Sequence, residues 1–249
     1  MNQQTIGLID SGLGGFTIYY GLKKAYPKAP LMILADQYNS PYGPKSKEQL
    51  YDITSKNIEF FLAQGVRHLL LACNTTSSLL LKDMQEKYPE IAIRGVIDAT
   101  VNQIQETSKI AVVATQANIF SHVYKNEIVK RFPSSEVIEV IAHDLVDYIE
   151  GLADKQTIAH YVATLCNQCK DVDTILLGCT HYPLVINEFK ACKDVVYIDS
   201  TQAMVLANKD WLENNIGDST ILTSASAQVL QRQLYVLFNA HEEVVEVSI

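Results

Sequence analysis

Two cysteines, Cys73 and Cys179, stand in nearly the same setting a hundred residues apart. Residues 69–76 read "LLLACNTT" and residues 175–182 read "ILLGCTHY". Each is an apolar run that ends in a small residue, a cysteine and polar residues suited to a helix start. A thiolate is both a base and a nucleophile, and a helix N-terminus lowers the thiol pKa from about 8.5. Asn74, Thr75 and Thr76 follow the first cysteine and are credible N-cap residues; Thr180 and then Pro183 follow the second. Both settings offer a polarised thiol beside free N–H groups that suit a carboxylate. A free cysteine is often only a small buried packing residue. The duplicated context is what points to chemistry. Two thiols facing across a planar intermediate can invert a carbon, one removing a proton and the other delivering one. His181, two residues beyond Cys179, could act as an acid or assist the thiol. His68, His122, His143, His160 and His241 have no comparable setting.

The elements that must position these residues also occur twice. Apolar, β-branched runs alternate with helix-like stretches, which implies βαβ units and parallel sheets. Ile6 and Ile110, Leu31 and Val137, Cys73 and Cys179, and Ile91 and Val195 are separated by 104, 106, 106 and 104 residues. Four runs in register imply an internal duplication. The expected fold is α/β: two pseudo-symmetric lobes with mainly parallel sheets and an active site in the cleft between them. The first lobe takes residues 1–98 plus about 208–249, the second 99–207, and the tail is expected to add helices to the first. In "KEQLYDITSKNIEFFLAQG", Leu50, Ile53, Asn57, Phe60 and Phe61 fall near helical spacing before a stop at Gly65. Ligands of open α/β sheets bind beyond the carboxyl ends of the strands, where both cysteines fall.

The stretch "IGLIDSGLGGFT" partly imitates a dinucleotide-binding turn, with Gly12, Gly14 and Gly15 after a strand and Asp36 at the end of the next. Thr17 stands where the last glycine belongs, and Asp10 would repel a pyrophosphate. The alternative is that the glycines permit close backbone approach while Asp10 and Ser11 point into the cleft. "SPYGPKS" is a turn by composition, and its tip is placed to reach the same cleft.

A net charge of −8 argues against a general nucleic-acid binder, which needs clustered Lys and Arg. No apolar run approaches a membrane span, and the start "MNQQTIGLID" lacks the pattern of a signal peptide, so a cytoplasmic location is expected. Five cysteines, an odd count, suggest free thiols. Cys166 and Cys169 form a lone C-x-x-C with no second pair, more in keeping with two residues on one helix than with zinc.

These motifs together resemble the glutamate racemase family, within the aspartate/glutamate racemase superfamily. The resemblance runs over most of the chain. It is carried by "IGLIDSGLGGFT", "PYGPKS", "ACNTTSS", "GVID", "ATQAN", "IEGL" and "LGCTHYP" in order. It implies interconversion of L- and D-glutamate for peptidoglycan, with no cofactor and no metal, and a family that often forms homodimers. By this resemblance Cys73 acts on the D-enantiomer's α-proton and Cys179 on the L-enantiomer's. Asp10 assists Cys73; Glu150 and His181 assist Cys179. Ser11, Pro41, Tyr42, Gly43, Asn74, Thr75 and Thr180 match substrate-binding positions. Asn118 stands where a threonine is common and is expected to offer its amide N–H groups to a substrate carboxylate at the cleft mouth. Asp98 and Ala99 replace a frequent Glu-Pro, and no Cys-Pro precedes Glu150. Competing expectations are an aspartate racemase with the same thiols, a Cys-His hydrolase using Cys179 and His181, and a non-catalytic two-lobed binding protein.

Overall fold

The computed structural model describes residues 5–105 and 109–249; the segment "MNQQ", on which part of the signal-peptide argument falls, lies outside them. Two parallel sheets form the framework. The first holds β1 (Ile6–Asp10), β2 (Leu31–Ala35), β3 (His68–Leu71) and β4 (Ala92–Gly95). The second holds β5 (Lys109–Ala114), β6 (Glu136–Ile141), β7 (Thr174–Gly178) and β8 (Val196–Asp199). Their orders are β2-β1-β3-β4 and β6-β5-β7-β8, the same arrangement twice. The pairing registers correspond as well: Ile6 lies opposite Leu31 and His68, and Ile110 opposite Val137 and Thr174. The central strands are continuous apolar runs because helices cover both faces of a parallel sheet; β1 and β7 are buried at every position.

The tail departs from the expectation of helices alone. β9 (Thr220–Thr223) and β10 (Val244–Glu246) extend the first sheet beyond β2, both parallel. They flank the helix Ala227–Phe238, whose Leu230 and Leu234 join the same core as Ile6, Leu8 and Phe16. That core also takes Val112, Ala114 and Tyr124 from the second lobe, so it runs through the interface between the lobes. The helix over the 47–65 stretch is Lys47–Ala63. Ser46 and Gln49 form its capping box, and Gly65 follows with a positive φ of 81°. It buries Leu50, Ile58 and Phe61, whereas Ile53 and Phe60 are only half-buried. Cys166 lies in the helix Lys155–Gln168 and Cys169 just beyond it, both packed in the core of the second lobe. Among the described residues, no helix is long and apolar enough to cross a membrane.

Candidate active site

The carboxyl ends of β1, β3, β5 and β7 converge on one cavity of about 300 Å³. Cys73 and Cys179 both line it, each 6% exposed, one from each lobe. Ser11, Pro41, Tyr42, Gly43, Asn74 and Thr75 line it from the first lobe, and Thr180 and His181 from the second. No Lys or Arg is among the described lining residues. An anionic ligand there must be held by hydroxyls, amides and backbone N–H groups.

Behind Cys179 stands an ordered relay. His181 Nδ1 is 3.6 Å from Cys179 Sγ, and its Nε2 is 2.7 Å from Glu150 Oε1. The same carboxylate oxygen accepts the Leu13 N–H at 2.9 Å, across the lobe interface. Burial opposes charge on His181, but the thiol and the carboxylate on its two ring nitrogens outweigh it and hold the imidazole well above its ordinary pKa. Burial likewise opposes charge on Glu150; His181 and the Leu13 N–H still keep its carboxyl below the usual range. This is the base-plus-orienter arrangement that activates a thiol nucleophile or base.

The Cys73 side is built differently. Cys73 is itself the N-cap of the helix Asn74–Lys87, and Asn74, Thr75 and Thr76 form the first turn rather than the cap. The Thr75 and Thr76 N–H groups favour the thiolate, as a helix start should. Burial and the nearby Asp10 carboxylate outweigh them and push the Cys73 thiol up to about 12, opposite to the expected lowering. Asp10 is fully buried. It accepts the Gly12 N–H at 3.0 Å and the Thr180 hydroxyl at 3.1 Å, and burial raises its carboxyl despite the charge on His181 and these donors.

The glycines of the first loop serve the contact between the lobes. A Cβ on Gly12 would lie 2.3 Å from Glu150 Oε1, and one on Gly14 would lie 2.2 Å from Thr180 Oγ1. Thr17, where a dinucleotide-binding glycine would be, donates its hydroxyl to the Gly14 carbonyl at 2.8 Å and lies 3.1 Å from the Thr180 carbonyl. Asp36 anchors the "PYGP" loop. Its carboxylate accepts the Tyr42 hydroxyl at 2.5 Å, Asn57 Nδ2 at 3.3 Å and the Ser224 hydroxyl at 2.6 Å. The phenol of Tyr42 is thereby committed to Asp36; Tyr42 shapes the wall rather than offering its hydroxyl.

Asn118 does not take the expected place at the mouth. Thr115 and Gln116 line that wall instead. Asn118 is 2% exposed and its Nδ2 donates to the Gly178 carbonyl at 2.9 Å, immediately behind Cys179. One of the two N–H groups assigned to a substrate carboxylate is already engaged, and the side chain does not line the cavity. Asn118→Ala is therefore expected to leave KM within about twofold while lowering stability by about 1 kcal/mol, the usual worth of one buried hydrogen bond. Thermal melting and steady-state kinetics check both halves.

Several lining residues escape a reading of the sequence. Thr115 follows Ser11 by 104 residues, so the duplication itself could have found it; its hydroxyl meets that of Thr75 at 3.2 Å across the cleft. His143, Asp144 and Asp147 also line the cavity, and His143 thus has the setting that its sequence context does not reveal. From the tail, Gln233 donates to the Glu150 carbonyl at 2.9 Å and accepts from Gln37 at 2.8 Å.

The chain is similar to known racemases over its whole length. Residues 9–207 match the Asp/Glu/hydantoin racemase family. Glutamate racemase of Lactobacillus helveticus is 38% identical over 196 residues, 76% of this chain and 72% of that protein. Glutamate racemase of Aquifex aeolicus is 32% identical over 248 residues, 96% of this chain and 95% of that protein. The crystal structure of the Francisella tularensis glutamate racemase in complex with D-glutamate superposes with a TM-score of 0.90 at 25% identity, covering 100% of this chain and 98% of that one. With paired thiols at the ends of duplicated strands and a family match spanning both lobes, the chain belongs to the Asp/Glu/hydantoin racemase family and is an isomerase.

Proposed function

We propose that the protein interconverts L- and D-glutamate by proton transfer between two thiols, with no organic cofactor. The observation that carries this is the pair Cys73 and Cys179, one from each lobe, on the wall of one cavity with different helpers behind them. The choice of glutamate over aspartate rests on the relatives, which are named glutamate racemases, and on the D-glutamate held by the Francisella protein.

In the resting site the Cys179 proton lies on His181 Nδ1, and from L-glutamate the Cys179 thiolate removes the α-proton. The electron pair left on the α-carbon delocalises into the substrate carboxylate, and the hydroxyls and backbone N–H groups around it (Ser11, Thr75, Thr115 and the Thr180 backbone) carry the growing negative charge. The Cys73 thiol, protonated at rest, gives its proton to the opposite face. Cys179 then holds the abstracted proton and Cys73 is the thiolate. The proton on Cys179 then passes through solvent to Cys73, a return favoured by the Asp10 carboxylate beside Cys73, and the site is reset. The reverse sequence begins from the form before this reset, with the charge on Cys73 and the proton on Cys179. Supply of D-glutamate to peptidoglycan synthesis in the cytoplasm follows as the biological role.

Heavy water tests the two-thiol route. Starting from L-glutamate, early D-product should carry deuterium at the α-carbon while unreacted L-substrate stays protonated. Deuterated L-substrate appearing before product would point to one shared base or to free exchange of the Cys179 thiol, and its persistence in Cys73→Ala would end the two-thiol assignment. Without substrate, iodoacetamide should modify Cys179 on the order of tenfold faster than Cys73, because the thiolate is the reacting species and only Cys179 has a base on its sulfur. Peptide mass spectrometry resolves the two sites.

A further inference from the structure

Asn74 presents a carboxamide with one end paired and the other buried and unpaired. Its Oδ1 accepts the Tyr124 hydroxyl at 2.5 Å, while its Nδ2 is buried and has no hydrogen-bond partner in the protein. Asn74 lines the cavity and is only 2% exposed. Tyr124 comes from the other lobe, in the helix Val123–Arg131, and is equally buried. Its ring packs on Gly178, where a Cβ would come within 3.1 Å of Tyr124 Cε2. Gly178 is the residue before Cys179. One side chain therefore touches the supports of both cavity walls.

We propose that Tyr124 is a positioning residue for substrate binding: it fixes the Asn74 carboxamide across the lobe interface so that Nδ2 faces the cavity as a donor to an anionic group of the substrate. A phenol has one proton to give, and the carboxamide oxygen is the end that can accept it. Turning the amide over would break the bond from the phenol to Oδ1, leave the Thr100 hydroxyl as the partner of that phenol, and point an acceptor at the anion. Burial pushes the Tyr124 phenol above its ordinary range, which keeps it a donor throughout the neutral range. An unpaired buried N–H group is costly unless a ligand completes it. The inference rests on the reading of this cavity as the glutamate site.

Tyr124→Phe keeps the ring on Gly178 and removes only the hydroxyl. KM for glutamate should rise on the order of tenfold with kcat changed less than about threefold, the pattern of an interaction made equally in ground and transition states. The cycle with Asn74→Ala separates positioning from general support. If Tyr124 acts through Asn74, adding Tyr124→Phe to Asn74→Ala leaves KM where Asn74→Ala put it. Equal KM increases in both backgrounds would overturn the proposal, placing the effect in the packing behind Cys179. So would an unchanged KM in Tyr124→Phe at an unchanged melting temperature. If Asn74→Ala alone leaves KM unaltered, the assignment of Asn74 to substrate fails and the proposal falls with it. The deuterium and alkylation results for the two thiols would stand apart from that outcome.

Discussion

Cys73→Ala and Cys179→Ala are each expected to lose racemisation by about 10³-fold or more in both directions, with the fold retained. Removing a positioned general acid or base costs typically 10²–10⁴-fold, and in the proposed route each thiol serves a face the other cannot reach. The loss must be the same in both directions for kcat/KM. The two enantiomers have equal free energy in water, so the ratio of the two kcat/KM values is one for any variant. A report of a one-way loss in kcat/KM would point to a measurement error, whereas kcat and KM taken separately can differ between enantiomers. Both thiols border the cavity from the edge of a packed core, so exchange for alanine enlarges that cavity and leaves the strand ends in place. Cys166→Ala and Cys169→Ala are the matched controls. They remove sulfur from the packed core of the second lobe, and should lower the melting temperature while leaving kcat within about twofold. Optical rotation and circular dichroism on the four variants decide the matter. A Cys73→Ala or Cys179→Ala protein that kept near-normal turnover would exclude the two-thiol mechanism outright.

The asymmetry of the two sides gives this expectation its detail. Cys179 has His181 and Glu150 in line behind it, and Cys73 has a buried carboxylate that raises it. In the proposed route this asymmetry favours the L-enantiomer as the first substrate of the resting site. The duplicated scaffold supplies two equivalent strand ends, but the helpers are not duplicates. The position 104 residues beyond Asp10 is Ala114, and nothing at the Cys73 end corresponds to His181 except Thr75.

Much of this arrangement is legible in the sequence because the chain repeats itself. Constant offsets between apolar runs foretell two sheets of equal strand order, and the βαβ rule places both cysteines at the carboxyl ends of strands. What stays hidden depends on burial and on contacts between distant segments. The strands Thr220–Thr223 and Val244–Glu246 are too short and too polar at their margins to stand out from loop. The rise in the Cys73 pKa comes from burial and the neighbouring Asp10, and a helix-start motif alone suggests the reverse. His143 follows a strand in what reads as an ordinary polar turn. Asn118 looks like a free donor until the Gly178 carbonyl is found beside it. The hydrogen bonds from Tyr124 to Asn74 and from Gln233 to Glu150 span 50 and 83 residues, beyond any local pattern.

The loop glycines supply the second large effect. Gly14→Ala should reduce kcat/KM on the order of 10²-fold while the melting temperature stays near that of the parent. Gly14 has an ordinary helical backbone, with φ −56° and ψ −40°, at the start of the helix Gly15–Ala25. Alanine is at no conformational disadvantage there, and its helix propensity is better than that of glycine. The difficulty is entirely across the cleft. The added methyl would sit 2.2 Å from Thr180 Oγ1 and 2.5 Å from His181 Nδ1. Neither group can step aside freely, because Thr180 donates to Asp10 and His181 is bonded to Glu150. The lobes must open slightly or the imidazole must leave Cys179, and a misplacement of about 1 Å can cost 10²-fold in a positioned reaction. Iodoacetamide distinguishes the two routes: a displaced imidazole removes the reactivity advantage of Cys179, whereas opened lobes raise the modification rate of Cys73. Gly12→Ala, whose methyl would meet Glu150 Oε1 at 2.3 Å, should weaken the same relay from its far end. Near-parental kcat/KM in Gly14→Ala would mean that catalysis does not require the close approach of the lobes at this loop.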